Sequence, residues 1–429
     1  MSLRVVHCVG FYFPDPVGGT EVYVRDLAAA LLERRVECSI AASTSGPARD
    51  YLWDGIPVFR YPADSGHTQF QQLIRRLEPD LFHLHSWTTG AGLDHLRQVA
   101  ELGIPSVVTL HVPSPLCLRG TMLLEGKAPC DGRIDDRRCA RCWALDRGVP
   151  APAACLIARL PKWTPPQWMT RSPARRLATL ASARAIAASQ AERLRELARL
   201  SDRIVVPSEW VRSALRQNAV PAEKILLSRQ AASASFGSGG VRARTGRSER
   251  GLSIGFVGRL ETYKGVQTLI EAISQIPPKT PLRLIIAGIS DDPKNLRMIE
   301  AAAAKDPRIE LVGPLPHERI PAFLEGLDIL AVPSRWMETG PIVVLEAQAM
   351  GVPVMGADLG GIAERVRDGI DGWLLPFDDP RAWAAAMQQA AADPGQVAIR
   401  AANSARTRSA SDVAAEMAAL YGEIHDHSA

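Results

Sequence analysis

Three things are scarce in this chain of 429 residues. Long apolar runs are missing. Hydrophobic residues make up 46% of the chain, yet no stretch reaches the roughly 18 apolar residues of a membrane-spanning helix. A strong charge of either sign is missing too. The net charge is only +4. That excess is too small to argue for nucleic acid, and it suits phosphate-bearing ligands or an anionic membrane surface. Cysteine is limited to seven residues. Cys8, Cys38 and Cys155 stand apart as ordinary thiols, and four others crowd one window, so no disulfide framework is spread along the chain. The opening MSLRVVHCVGFYFPDPVGG lacks the apolar core and small-residue cleavage site of a secretory signal and reads as a first strand. A cytoplasmic protein of two domains with ample cores is expected.

What the chain does have is a repeating alternation of short aliphatic runs and amphipathic stretches. Residues 3–9 read as a strand that runs through FYFPDPVGGTE into a helix from about Thr20 to Arg34. Strand, glycine-rich turn and helix form the layout of a phosphate-facing βα unit. Gly18 and Gly19 let a ligand approach the backbone, and Thr20 is placed to cap the helix. Read alone, such a pair is equally an ordinary tight turn. In LFHLH, His83 and His85 share one face of a strand. His85 reads as a strand-end residue on the ligand side and His83 as a structural one. His111 follows the strand at 106–110, where open α/β sheets bind ligands; the plainer reading is a loop histidine bonded to backbone.

The alternation stops over about 112–172, a stretch rich in proline, arginine, cysteine and tryptophan. Cys117, Cys130, Cys139 and Cys142 there have the spacing C-x12-C-x8-C-x2-C. The closing Cys-x2-Cys can chelate one tetrahedral ion, and the other two cysteines can complete a four-thiolate site. Zinc is the default metal, an iron–sulfur cluster uses the same ligands, and four unligated thiols are the plain alternative. Beyond it, Trp163, Trp168 and Met169 mix with Lys162, Arg171, Arg175 and Arg176. That composition suits a membrane interface or, more simply, a solvated basic face. Residues 236–251, FGSGGVRARTGRSERG, are nearly free of apolar side chains and read as a linker. From 252 the alternation resumes. The expected fold is α/β, with two doubly wound parallel sheets. The domains are expected at 1–235 and 252–400, with a helical stretch over 401–429.

One stretch of the second domain is unusual. In WMETGPIVVLEAQAMG, at 336–351, Glu338 and Glu346 flank a Gly340–Pro341 turn and an all-apolar run starting at Ile342 and Val343. A loop entering a buried helix offers first-turn N–H groups to an anion, and two carboxylates so spaced can hold hydroxyls at the two ends of a nucleotide sugar. The alternative is a capping glutamate and a surface glutamate.

GGTE at 18–21, His111 at a strand end, GRLETYKG at 258–265, Glu338-x7-Glu346 and the following EAQAMGVPVMGADLGGIAE occur in this order. Together they resemble the retaining family 4 glycosyltransferases (glycosyl transferases group 1) of the GT-B fold, over most of the chain. The cysteine insertion resembles that of a bacterial subgroup. The resemblance implies two Rossmann-like domains facing a central cleft, with the acceptor on the first and the nucleotide sugar on the second. The last helix is expected to pack back on the first domain. By position, Arg259 and Lys264 would grip the donor diphosphate, Glu338 the donor sugar and Glu346 the ribose hydroxyls. Gly340, Pro341, Ile342 and Val343 would form the helix start facing sugar or phosphate. Gly18 and Gly19 would let donor phosphate and acceptor approach, and His111 would lie beside the donor sugar. The expected donor is a UDP- or GDP-sugar. The expected acceptor is a glycan, a lipid-linked or a small molecule, in cell-surface polysaccharide or glycoconjugate synthesis. No cofactor or catalytic metal is expected, and peripheral contact with the inner membrane is. Two departures stand out. The Asn-Gly common at the end of the first domain is SRQAAS here (228–233), and the linker is long. The rivals are a nucleotide-sugar epimerase of the same fold and a non-catalytic sugar-nucleotide-binding protein.

Overall fold

A computed structural model of the chain describes residues 2–15, 18–63, 67–165, 175–236 and 251–428. Trp168, Met169 and Arg171, together with residues 237–250 of the expected linker, lie outside the described residues. The chain divides into two compact units, Met1–Arg229 with Ser411–Ala429, and Gln230–Ala410. The first boundary thus falls at 229/230 rather than at 235. The C-terminal stretch is two helices, Pro394–Ala402 and Ala410–Ser428. Residues 403–409, NSARTRS, separate them because they carry no large apolar side chain to bury.

The first unit is built on an eight-stranded sheet. Its strands are β1 (Arg4–Val9), β2 (Glu37–Thr44), β3 (Arg49–Trp53), β4 (Ile56–Pro62), β5 (Leu81–Leu84), β6 (Ser106–Thr109), β9 (Arg203–Val206) and β10 (Ile225–Leu227). Two short strands, β7 (Leu123–Leu124) and β8 (Ala128–Pro129), form a separate hairpin. The order β10-β9-β6-β5-β1-β2-β4-β3 is parallel except for β3. β3 was not expected from the sequence. It pairs with β4 through Asp54 and Gly55, both with positive φ, which is the Asp-Gly signature of a two-residue hairpin turn. The central strands are buried on both faces, as parallel strands under helices must be. Over the described part of the expected insertion, 112–165, the alternation does stop. The β7–β8 hairpin and the helices Asp136–Asp146 and Ala151–Ile157 take its place. They close a small core of Ala140, Trp143 and Ala158 on Ala183 and Ala187 of the helix Ala183–Leu200. The last helix, Ala410–Ser428, seals the first unit with the fully buried Tyr421.

The second unit has six parallel strands in the order β13-β12-β11-β14-β15-β16. They are β11 (Leu252–Val257), β12 (Leu282–Ala287), β13 (Ile309–Gly313), β14 (Ile329–Val332), β15 (Val354–Ala357) and β16 (Gly372–Leu375). The helix Ile342–Ala349 is mostly apolar and sinks Val344 and Ala347 into the core with Leu330, Val332 and Val354. Pro341 is its N-cap. Among the described residues no helix is long and apolar enough to cross a membrane.

Candidate functional site

In the second unit β11 lies between β12 and β14, so the strand order reverses beside it. Open α/β sheets form a crevice at such a switch point, outside the carboxyl ends of the strands. The segments after β11 (258–265) and after β14 (333–341) run into it. Lys264 Nζ donates to Glu338 Oε1 at 2.7 Å, and Ser334 Oγ donates to the same oxygen at 2.8 Å. Lys264 Nζ also stands 5.0 Å from the ring centroid of Trp336, a cation–π distance. Glycine makes this approach possible. Gly265 has φ +77, and a Cβ there would lie 1.9 Å from the carbonyl oxygen of Pro333. The loop of Glu338 is held from the other side, where Gly361 N–H donates to the Glu338 carbonyl at 2.7 Å.

Glu338 is buried, at 7% exposure, and Lys264 is a quarter exposed at its side chain. A cation and an acceptor are therefore presented together, next to the helix start formed by Gly340, Pro341, Ile342 and Val343. Arg259, more than half exposed, pairs with Asp291 and lies 3.8 Å from Glu261. Glu346 is buried within the helix, its Oε1 3.4 Å from His317 Nε2. The structure thus brings Lys264 and Glu338 into contact, and gives Arg259 and Glu346 partners that sequence reasoning missed: Asp291 and Glu261 for the first, His317 for the second.

In the first unit, β1, β5 and β6 are neighbours, and each carries a histidine in or just beyond it. His7 is in register with His83. His7 Nδ1 lies 3.0 Å from His85 Nε2, and His85 Nδ1 lies 3.1 Å from His111 Nε2. His83 is bonded to the hydroxyls of Tyr421 and Thr109, at 2.6 and 2.7 Å. Burial pushes the pKa of His7 and His111 down to about 3, and those of His83 and His85 well below the ordinary value. All four rings are therefore neutral. This corrects the expectation for His85. It is 1% exposed with both nitrogens engaged by other rings, so it offers nothing to a substrate directly. His111 itself is 8% exposed, and its ring packs edge-on against Tyr23 of the helix Gly19–Leu32.

That helix starts at Gly19, one residue before the expected cap, so Thr20 lies inside its first turn. A glycine N-cap has no side chain to offer, and Glu21 reaches back instead to accept the Gly18 N–H at 2.8 Å. Burial raises the pKa of Glu21, and that N–H opposes the rise.

The cysteine window does not form the expected ligand set. Cys117, Cys130, Cys139 and Cys142 form no disulfide. Among the described residues the ligand-type groups lying within 4.8 Å of one another are His7, His83 and His85, not the cysteines. Thiolates on one tetrahedral ion sit roughly 3.8 Å apart. Cys142, on the helix Asp136–Asp146, accepts the Glu125 N–H at its sulfur at 3.1 Å. Next to the window lies a cavity of ≈ 540 Å³ lined among others by Trp87, Asp94, His95, Arg119, Gln190 and Arg193. The Arg193 guanidinium stands 5.5 Å from the Trp87 ring centroid.

Comparison with known proteins agrees with this layout. Residues 17–227 match the family model "Glycosyltransferase Family 4" and residues 241–408 match "Glycosyl transferases group 1". The chain carries a family 4 glycosyltransferase domain followed by a group 1 domain. The D-inositol 3-phosphate glycosyltransferase of Corynebacterium efficiens is 35% identical over 181 residues, 40% of this chain and 42% of that protein. In that alignment the chain therefore spans under half of the relative's length. The protein of the same name from Pseudarthrobacter chlorophenolicus is 28% identical over 428 residues, covering 92% of this chain and 88% of its own. The crystal structure of Anabaena Alr3699/HepE in complex with UDP superposes with a TM-score of 0.60 at 17% identity, covering 100% of this chain and 99% of that one. The fold is that of GT-B glycosyltransferases.

The family 4 domain thus contains Gly18, Gly19, His85, His111 and the four cysteines, and the group 1 domain contains Arg259, Lys264 and the segment from Glu338 to Glu346. His7, Ser334, Trp336 and His317 join these clusters without having been singled out by sequence. For His7 a partial signal existed: like His83, it interrupts an aliphatic strand run.

Proposed function

We propose that this chain transfers a sugar, with retention at the anomeric carbon, from a nucleotide-diphosphate sugar to a small hydroxylated acceptor, without a catalytic metal ion. The observation that carries the reading is the Lys264–Glu338–Ser334 cluster at the switch point of the group 1 domain. Lys264 and Arg259 supply two cations for the leaving diphosphate, the role a divalent ion plays in other transferases. Glu338 and the helix start at Gly340–Val343 take the hydroxyls and phosphate oxygens of the donor. Glu346, beside His317, takes the ribose hydroxyls.

In the transfer, the acceptor oxygen bonds to the anomeric carbon as the bond from that carbon to the phosphate oxygen breaks. The acceptor's proton passes to the departing diphosphate. UDP in the Anabaena protein favours a uridine donor. The names of the relatives and the cavity of the family 4 domain favour a polyol phosphate as acceptor. Trp87 there offers a ring face to a polyol, and Arg193 offers a guanidinium to a phosphate beside Arg119, which pairs with Asp146 at 3.0 Å.

The test is transfer of label from UDP- and GDP-sugars to a panel of polyol phosphates. Lys264→Ala and Glu338→Ala should each lower turnover at least ~100-fold with the circular dichroism unchanged. Near-normal rates in either variant would overturn the site, and label that stays on the nucleotide sugar would overturn the transfer.

A further inference from the structure

We propose that His7 and His85 are positioning residues that fix the proton of His111 on its Nδ1. A neutral imidazole has one N–H and one lone pair. The two N···N links, 3.0 Å from His7 to His85 and 3.1 Å from His85 to His111, each need one of either kind. Three rings supply three N–H groups, and the links use two. The third sits at one end of the row, on His7 Nε2 or on His111 Nδ1.

His7 Nε2 is buried and has no hydrogen-bond partner among the described residues. A buried N–H without an acceptor is less tolerable than a bare lone pair. The row therefore runs in one direction. His7 Nδ1–H donates to His85 Nε2, His85 Nδ1–H donates to His111 Nε2, and His111 keeps its hydrogen on Nδ1. His7 and His85, 0% and 1% exposed, never meet a substrate. They act through His111, the most exposed of the three rings at 8%.

A metal ion does not compete for these rings. The ring nitrogens of His7, His83 and His85 do gather within 4.8 Å. However, His83 spends both nitrogens on Tyr421 and Thr109, and His85 spends both on its neighbours. Only His7 Nε2 is left, and no carboxylate belongs to the group to balance a dication.

The effect on turnover rests on the expectation that His111 lies beside the donor sugar; the direction of the row does not. Nitrogen-15 NMR of the full-length protein reads that direction. We expect His7, His85 and His111 all protonated on Nδ1, with scalar couplings across both N–H···N links. His111 protonated on Nε2, or a ring carrying two N–H groups, would overturn the proposal. Turnover gives a second test. His85→Asn places an amide N–H near where Nδ1 stood, and it should stay within about 3-fold of the parent kcat. His85→Leu, which fills the space without donating, should lose at least ~10-fold, as when a histidine loses the partner that fixes its tautomer. Leu performing as well as Asn would reduce His85 to packing and overturn its positioning role. Full activity in His111→Ala, with the NMR pattern as expected, would remove His111 from the reaction and leave the row intact.

Discussion

Acidification should unfold the first unit well above the pH at which carboxylates titrate. His7, His83, His85 and His111 are all held below the ordinary histidine value of 6.5, in each case chiefly by burial. The unfolded chain takes up protons near pH 6.5, and the folded chain refuses them. Stability from these groups is therefore complete above that value and falls as pH drops below it. One pH unit below, at pH 5.5, a ring held neutral has lost on the order of 1 kcal/mol. The row as a whole loses several times that, a sizeable part of the stability of a typical domain.

The assay is a series of urea midpoints between pH 8 and pH 5, followed by circular dichroism. Carboxylates held down by a hydrogen-bonded guanidinium, such as Asp306 beside Arg308, lose their contribution only below the ordinary 3.8, so the two losses are separable. His7→Leu removes one titrating ring and should flatten the slope by about 1.4 kcal/mol per pH unit. A midpoint that is level from pH 7.5 to 5.5 would refute the reasoning, as would a loss that begins only below pH 4.

The remaining predictions concern the group 1 domain. Gly265→Ala should destabilise that domain by at least ~1–2 kcal/mol from the left-handed backbone alone, and should separate Lys264 from Glu338 as the new methyl meets Pro333. Thermal melts and transfer rates read both effects, and an unchanged melt would contradict the close approach. Treatment with EDTA followed by gel filtration should leave transfer unchanged, because the proposed charge stabilisation comes from Arg259 and Lys264. Loss of rate restored by a divalent ion would contradict it.

A good part of the fold is legible in the sequence because it depends on local periodicity. Aliphatic runs of strand length, separated by amphipathic stretches and glycine turns, announce parallel strands under helices, and the break over 112–172 announces the insertion. The strand β3 went unread although its Asp54–Gly55 turn was available. The cysteine spacing suggested a shared ion, yet spacing says nothing about where the sulfurs point. In the structure the helix Asp136–Asp146 sends Cys142 toward the Glu125 loop instead.

By itself, the sequence determined the two β/α series, the glycines at their turns and the identity of the charged residues after β11 and β14. The tertiary structure decided which of these meet. Lys264 and Glu338 are 74 residues apart, and they touch because β11 and β14 are neighbours at the point where the strand order reverses. His7, His85 and His111 form a row because β1, β5 and β6 lie side by side, an order no local pattern encodes. Backbone period and side-chain apolarity act over a few residues. Strand order is chosen by how whole helices and sheets bury one another, and the chemistry of both clusters depends on that choice.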